Sequence, residues 1–488
     1  MQKIDKKVQL VIEKVEQMCG KSSDLSTRTI QMGSKNVAYL YLESVSSDDK
    51  ISNFLGKSLS YDVKNKPYGI FDHIFSCLKN TIPNGKLKLT DQYEELFYYL
   101  ASGFTAIVVD GSDQSIVVET RMRLDRGVTE ATTENVLRGP KDAFTENNAM
   151  NIGLIRKRIK DPNLWFHEVL VGRRTKTKVN VVFIKDIVDD EKVQRVIECL
   201  EKIDVDGILD SGYIREFLDR KQVSSFPKIQ SSERPDLACE SLLNGKIVVM
   251  VENTPYVLIM PALMIDYFHN PEDYYQKPNN VSLTRIIRFV AFFITILTPG
   301  FYIGLMNYNP EVIPDKLLIS LAVQRQGVPF PTAFEVLLLQ SVFEILRESD
   351  IRLPKVMGTS ISIVGALVLG DAAVSAGIVS PIVVIVVAFT SICSLIFTDI
   401  DFINAIRNWR LAFAVASIML GLTGFAIVGI LFVIKLCSLE SLGVPYTTPF
   451  SPFYPEEEKD AIIRMKRPKL TKRPEYLAQK NINRMGGE

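Results

Sequence analysis

Asp371 has the most demanding surroundings of any ionisable residue in this sequence. It lies in residues 356–378 (VMGTSISIVGALVLGDAAVSAGI), an apolar stretch otherwise rich in Gly, Ala and Ser. A carboxylate at the centre of a membrane helix costs roughly 2.5–3.5 kcal/mol on insertion scales. It must therefore face a cavity, a partner or an interface, or cap a break between two half-helices. Small residues let membrane helices approach closely. They also leave room for water and ions along a shared axis. Ser360, Ser362, Gly365 and Asp371 are accordingly the candidate pore-lining residues. No second constellation competes with them. His73, His167 and His269 stand far apart, and the six cysteines form no close pair. Neither a thiolate metal site nor a disulfide framework is expected, and this cysteine usage fits a reducing compartment. The motifs G-x-x-x-x-G-K-S/T, H-E-x-x-H, C-x-x-C and G-x-S-x-G are all missing, as is G-x-G-x-x-G after a strand. Catalysis has no residues to stand on. No enzyme, cofactor or metal is expected, and an ATP-driven pump is disfavoured for the same reason.

The elements around this segment read as membrane helices. A bilayer core of ~30 Å needs ~20 mostly apolar helical residues. Residues 289–308, 379–398 and 411–434 meet this, and Pro299-Gly300 kinks the first. Basic residues flank them: Lys277, Arg285 and Arg288 before, and a tail after Tyr454 with Arg464, Lys466, Arg467, Lys469, Lys472, Arg473, Lys480 and Arg484. Basic flanks stay cytoplasmic, so both ends belong inside and the number of crossings is even; four satisfies this. One conflict remains, because residues 309–355 would then lie outside while carrying Lys316, Arg325, Arg347, Arg352 and Lys355. Within them, 334–346 is amphipathic and reads as interfacial or re-entrant. The basic tail reads either as a binder of anionic lipid headgroups or as a solvated segment.

The charge-rich first half alternates strands with helices. Its start, MQKIDKKVQLVIEKVEQ, is an amphipathic helix and no signal peptide. Strands are expected over 37–42 and 179–184, hairpins over 107–119 and 247–260, and a helix over 192–203. NVAYLYLESVSSDDKISNFL from Asn36 resembles NVVFIKDIVDDEKVQRVIECL from Asn180, and GFTAIVVDGSDQSIVVE from Gly103 resembles GKIVVMVENTPYVLIMP from Gly245. A shared offset with preserved order points to two copies of one unit. The expected organisation is an α/β soluble region of two tandem related subdomains (1–160 and 161–283), an α-helical multi-span membrane domain (284–436) and a short basic tail (437–488). Residues 119–158 are densely charged with both signs. Only Phe144 interrupts the run, so a nucleic-acid surface, which needs interleaved aromatics, is disfavoured. Arg126, Arg138 and Glu146 are instead the candidate subunit-interface residues.

At RGVTEATTENVLRGPKDAFTEN (126–147) the sequence resembles the A-subunit family of bacterial spore germinant receptors, the GerA type. The resemblance continues through 226–261, EDYY at 272–275, VPFPTAFEVLLLQSVFEILRESDIRLP (328–354) and GTSISIVGALVLGDAAVSAGIVSP (358–381). It departs at Ser232, where the family usually has Thr, at Ala131, where it has Pro, and near Asp399, where a frequent proline is missing. The resemblance implies a multi-pass protein of the spore inner membrane, with its amino-terminal domain and tail cytoplasmic. It implies a complex with a transporter-like B subunit and a lipoprotein C subunit that senses nutrients. It also implies a homo-oligomer that forms a nutrient-gated cation channel; the alternative is a non-conducting scaffold that relays signals from B and C.

Overall fold

The computed structural model describes residues 2–32, 35–52, 70–81, 87–122, 131, 134, 136–219, 224–352 and 370–485. The chain divides into two units. The first comprises 1–222, 229–261 and 467–488; the second comprises 223–228 and 262–466.

The first unit contains two five-stranded sheets with one topology. Strands β1 (Leu25–Met32), β2 (Lys35–Leu42), β3 (Leu87–Thr90), β4 (Phe104–Val109) and β5 (Ser115–Glu119) lie in the order β1-β2-β4-β5-β3. Strands β6 (Leu164–Val171), β7 (Thr177–Ile184), β8 (Gln230–Ser232), β9 (Ile247–Val251) and β10 (Val257–Met260) lie in the order β6-β7-β9-β10-β8. Every pairing in both is antiparallel. A single shift of 142 positions carries the pair Val37–Val109 onto Val179–Val251, and Thr90–Ser115 onto Ser232–Val257. The same shift carries helix α3 (Tyr93–Ala101) onto α7 (Pro235–Leu243). It also superposes two backbone requirements. Gly103 and Gly245, just past those helices, have φ +82° and +91°, and the hairpin turns place Gly111 and Asn253 at φ +90° and +69°. Left-handed residues close helix ends and tight hairpins.

Alternation sorts the first sheet's residues. Ala38, Leu40, Leu42, Ala106, Val108 and Val117 face a core shared with Val182, Ile184, Val248, Met250, Val257 and Ile259 of the second sheet. Val37, Tyr39, Ile107, Val109, Ile116 and Val118 face Ile74 and Leu78 of α2 (Ile70–Thr81). Helices α1 (Val8–Met18) and α4 (Asn148–Arg158) complete the shared core, and α5 (Asp190–Glu201) and α6 (Ser211–Leu218) belong to the second copy. Asp24 beside β1 and Arg156 on α4 pair inside it at 3.0 Å, with Ser22 and Ser44 donating to the same carboxylate.

The chain's end is built into this unit. Ala478 is fully enclosed and Leu477 is buried. Lys192 donates to the Tyr476 carbonyl at 3.2 Å, Arg473 to that of Leu243 at 2.8 Å, and Lys480 pairs with Asp190 at 2.6 Å. The described residues from 467 to 485 therefore dock on the second copy, where the sequence suggested a solvated or lipid-binding tail.

The second unit is helical: α8 (Pro278–Tyr308), α9 (Asp315–Gln324), α10 (Thr332–Arg352), α11 (Pro381–Ser394) and α12 (Ile400–Cys437). Two of these, α8 and α12, are long and apolar enough to cross a membrane. The expected span 379–398 is shorter in the structure, because Pro381 starts α11 and Asp399 caps α12 by accepting from the Phe402 N–H. Fourteen residues make ~21 Å. The expected span 411–434 is not one straight helix either. In a straight helix Trp409 and Phe432 would stand ~35 Å apart, yet their ring centroids are 5.0 Å apart, and those of Phe413 and Phe425 are 5.1 Å apart. The chain reverses at Gly421 (φ 62°, ψ −144°), so α12 is a hairpin with arms 400–420 and 422–437.

Glycines set this hairpin against α8. A Cβ on Gly300 would lie 2.9 Å from the Phe413 backbone, and one on Gly304 would lie 3.2 Å from the Leu422 nitrogen. Tyr308 packs on Gly421 and donates its hydroxyl to the Ile418 carbonyl at 2.6 Å. With Phe292 stacked on Phe402 at 5.8 Å, α8 and the first arm run in the same direction, and the second arm returns.

Gly421→Ala should lower the thermal unfolding midpoint of the detergent-solubilised protein. The cost is ~1–3 kcal/mol for the backbone conformation alone, and the new methyl meets Tyr308 at 2.7 Å. Gly429→Ala is the matched control, since its methyl makes only ordinary contact at 3.8 Å. Equal midpoints for the two variants would contradict the hairpin.

Candidate functional site

The structure separates the sequence candidates. Ser360, Ser362, Gly365 and Arg126 lie outside the described residues. Asp371 is exposed, on a helical stretch at 370–375 whose Gly370 faces Val384 of α11. Arg138 and Glu146 are both exposed, and among the described residues no ion pair joins them. The Glu146 carbonyl accepts from the Asn253 N–H at 2.9 Å, which fixes its backbone to the second copy's hairpin turn.

In the first unit, two motifs distant in sequence meet. Arg234, almost fully buried, sits at the corner between β8 and α7. It pairs with Asp236 at 2.8 Å and donates to the carbonyls of Glu134 and Pro140, both at 3.1 Å. The Phe144 N–H donates to the Glu233 carbonyl at 2.8 Å. One arginine thus staples both ends of the loop that carries Leu137 and Arg138, which are exposed at its tip. Glu134 is half-buried with its carboxyl turned inward, where Ser232 donates to it at 2.6 Å. Burial, reinforced by the Glu233 charge, pushes this carboxyl up to about 7 against the ordinary 4.5. The resemblance had marked both motifs, but their meeting is a product of the fold.

In the second unit, charges gather where α8 begins. Arg285 has no exposed surface and bonds Asp273 at 3.0 Å and Asp460 at 2.9 Å. Arg288 shares Asp273 at 2.8 Å. The His269 ring nitrogen meets the Ala461 carbonyl at 2.9 Å, and burial with Arg285 nearby pushes the imidazole down to about 4. The network ties residues 460–464 to the foot of α8. Deeper in the bundle, Glu344 of α10 takes Arg410 of the first α12 arm at 2.6 Å and Arg407 at 3.5 Å. The basic-flank reading recognised Arg285 and Arg288 only as flanking charge. Asp273 falls in the EDYY motif, but nothing in the sequence linked it to Asp460, 187 positions away.

Glu134 gives a pH test. An acid with a raised folded value binds its proton more tightly folded than unfolded, so its contribution to stability is full below 4.5 and is lost as pH rises through about 7. The unfolding midpoint of Glu134→Gln should be flatter across that window than wild type. An unchanged slope would show that another group titrates there.

Comparison with known proteins covers nearly the whole chain. The family model described as Bacillus/Clostridium GerA spore germination protein matches residues 13–476. The chain is similar to spore germination protein KA of Bacillus subtilis (strain 168), 37% identical over 97% of this chain and 87% of that protein. It is similar to spore germination protein GerLA of Bacillus cereus, 32% identical over 96% of each. Among solved structures it is similar to the N-terminal domain of the A subunit of the Bacillus megaterium spore germinant receptor GerK3. That match has 29% identity and a TM-score of 0.43, covering 54% of this chain and 98% of that one. The chain belongs to the Bacillus/Clostridium GerA family of spore germination proteins.

Proposed function

We propose that this chain is the A subunit of a nutrient germinant receptor. Several copies assemble into a nutrient-gated cation channel of the spore inner membrane, together with a transporter-like B subunit and a lipoprotein C subunit. The observation that carries the receptor reading is the family match over 13–476.

Geometry supports the membrane placement. Residues 467–488 share a buried core with the amino-terminal sheets, so both lie on one side of any bilayer. The intervening chain must cross an even number of times. α8 leaves that side and the first arm of α12 runs parallel to it, while the second arm returns. α10 runs opposite to α8, since Val336 and Leu339 pack on Ile303 whereas Glu344 reaches Arg410 nearer the base. α11 also descends, from Ser380 beside Glu335 toward Phe397, which packs with Phe268 and Phe292. α8 and the first α12 arm thus run one way, and α10, α11 and the second α12 arm run the other. Basic residues at the near ends support a cytoplasmic position for that side.

The glycine contacts of Gly300 and Gly304 leave no room for a conduit between α8 and α12. A path for ions therefore belongs between copies, and the small-residue segment with exposed Asp371 is where it is sought. Arg138 and Glu146, exposed near the stapled loop, are the proposed contacts between neighbouring soluble units.

Purified protein in a planar bilayer should conduct monovalent cations. Asp371→Asn should reduce the current several-fold, and a bulky residue at Gly365 should block it or make it leak. Intact oligomers with no current would favour the scaffold. Reversing the charges of Arg138 and Glu146 together should weaken oligomers in sedimentation and leave unfolding midpoints within about 1 °C, as expected of surface substitutions. Equal loss of assembly and stability would remove the interface assignment.

A further inference from the structure

A carboxylate with no exposed surface lies where α8, α10 and α11 meet. Glu335 Oε2 accepts the Ser380 N–H at 2.7 Å and the Ser380 hydroxyl at 2.8 Å. Its other oxygen, Oε1, accepts no hydrogen bond. Two more buried oxygens there lack partners. One is Oγ1 of Thr332, one turn earlier on the same face of α10, and the other is the Tyr302 hydroxyl of α8, which feels the charges of Glu335 and Arg325. A fully buried polar atom without a partner costs ~1–3 kcal/mol. Thr332 and Glu335 share one face of α10, and the Tyr302 hydroxyl lies near enough to feel the Glu335 charge, so the three mark a place for something that supplies the missing contacts.

The chemistry of the three atoms names the class. All are hard oxygens, and one carries charge, which suits an alkali or alkaline-earth cation. A single carboxylate balances one positive charge. Calcium sites usually gather several carboxylates, and magnesium demands a rigid octahedron. The fit is to a monovalent alkali cation.

Arg325 stands at this point in an unusual way. Its Nη2 is 3.5 Å from Glu335 Oε1, and its Nε has no partner. A buried arginine–carboxylate pair is normally bidentate and hydrogen-bonded on both arms. Here the guanidinium supplies the neutralising charge without the hydrogen bonds. Its side chain is a quarter exposed, and Gly327, two residues on, has φ +98° with open space around it.

We propose that Glu335, Thr332 and Tyr302 form a monovalent-cation site, and that Arg325 is a tethered cation that fills its charge and keeps free ions out. The site is tied to the proposed ion path through the sequence, where Ser380 stands two positions past the small-residue segment. It rests on the channel reading for its role but not for its detection.

The test is thermal unfolding of the full-length protein in nanodiscs, in KCl, NaCl or N-methyl-glucamine chloride at equal ionic strength. Wild type should unfold at one temperature in all three. Arg325→Gln should unfold about 2–4 °C higher in K⁺ or Na⁺ than in the organic cation. Adding Glu335→Gln should abolish that difference. No cation effect in Arg325→Gln, or an effect that survives Glu335→Gln, overturns the site; a cation effect already present in wild type overturns the role of Arg325. If Arg325→Gln gives no folded protein in the organic cation, recovery in K⁺ or Na⁺ supports the site. Failure in all three salts, with Arg325→Lys equally insensitive, overturns it. A protein that shows this cation dependence but carries no current would lose the channel and keep the site.

Discussion

Ala478 is enclosed in the core of the first unit, although more than two hundred residues separate it from Pro261, where that unit's sheets end. This return is the constraint on which the rest depends. A chain that leaves a packed core and comes back to it cannot have a bilayer between its ends. Under the proposed membrane reading, each leg of the helical unit that crosses therefore needs a leg back. The hairpin at Gly421 is one way to meet that requirement: a single apolar run of 38 residues supplies both directions because one residue adopts a conformation open to glycine.

Both units use buried charge at their joints. Asp24 and Arg156 tie the first copy to α4 of the second, and Arg234 fastens a loop to a corner. Arg285 holds Asp273 and Asp460 at the foot of α8. Such pairs add little net stability over apolar packing, since desolvation offsets most of the attraction. Breaking one is another matter, because it strands a charge in a dry environment. The effect is to make each joint nearly all-or-none. The Arg285 network joins α8 to residues 460–464, and the chain from there leads directly to the docked tail.

Much of the soluble fold was legible because its repeat preserves letters where geometry demands them. Gly103 and Gly245 share the true offset of 142, since both must adopt a left-handed conformation. The match of Asn36 with Asn180 gives 144 instead. The two-residue discrepancy leaves every side chain on its proper face, because a strand repeats every two residues. That is why the similarity was visible although the register was wrong. The tail was not legible, because basic residues look alike whether they bind headgroups, water or Asp190. The reversal in α12 was hidden by uniform apolarity. The spacing Gly300-x-x-x-Gly304 on the facing helix was the available signal, since small residues four apart mark close helix approach.

The site residues fared differently from the fold for a related reason. Asp371 was conspicuous because a charge in an apolar segment stands out, whereas Glu335 and Arg325 sat in a stretch already rich in charge. That stretch was also the conflict in the charge-based topology, with basic residues on the wrong side. The direction of α10 eases it under the proposed membrane reading. α10 runs opposite to α8, which carries Arg347 toward the end where the other basic flanks gather. Arg325 stays at the far level but faces Glu335 at 3.5 Å, which cancels its charge locally. Among the described residues that raised the difficulty, Lys316 on α9 remains as a far-side cation under that reading, and Lys355 lies outside the described residues. A single lysine is a small exception to a rule that counts excess. The pairing proposed to stand in for a free cation thus also offsets the charge of an arginine that the membrane reading sets at the far level.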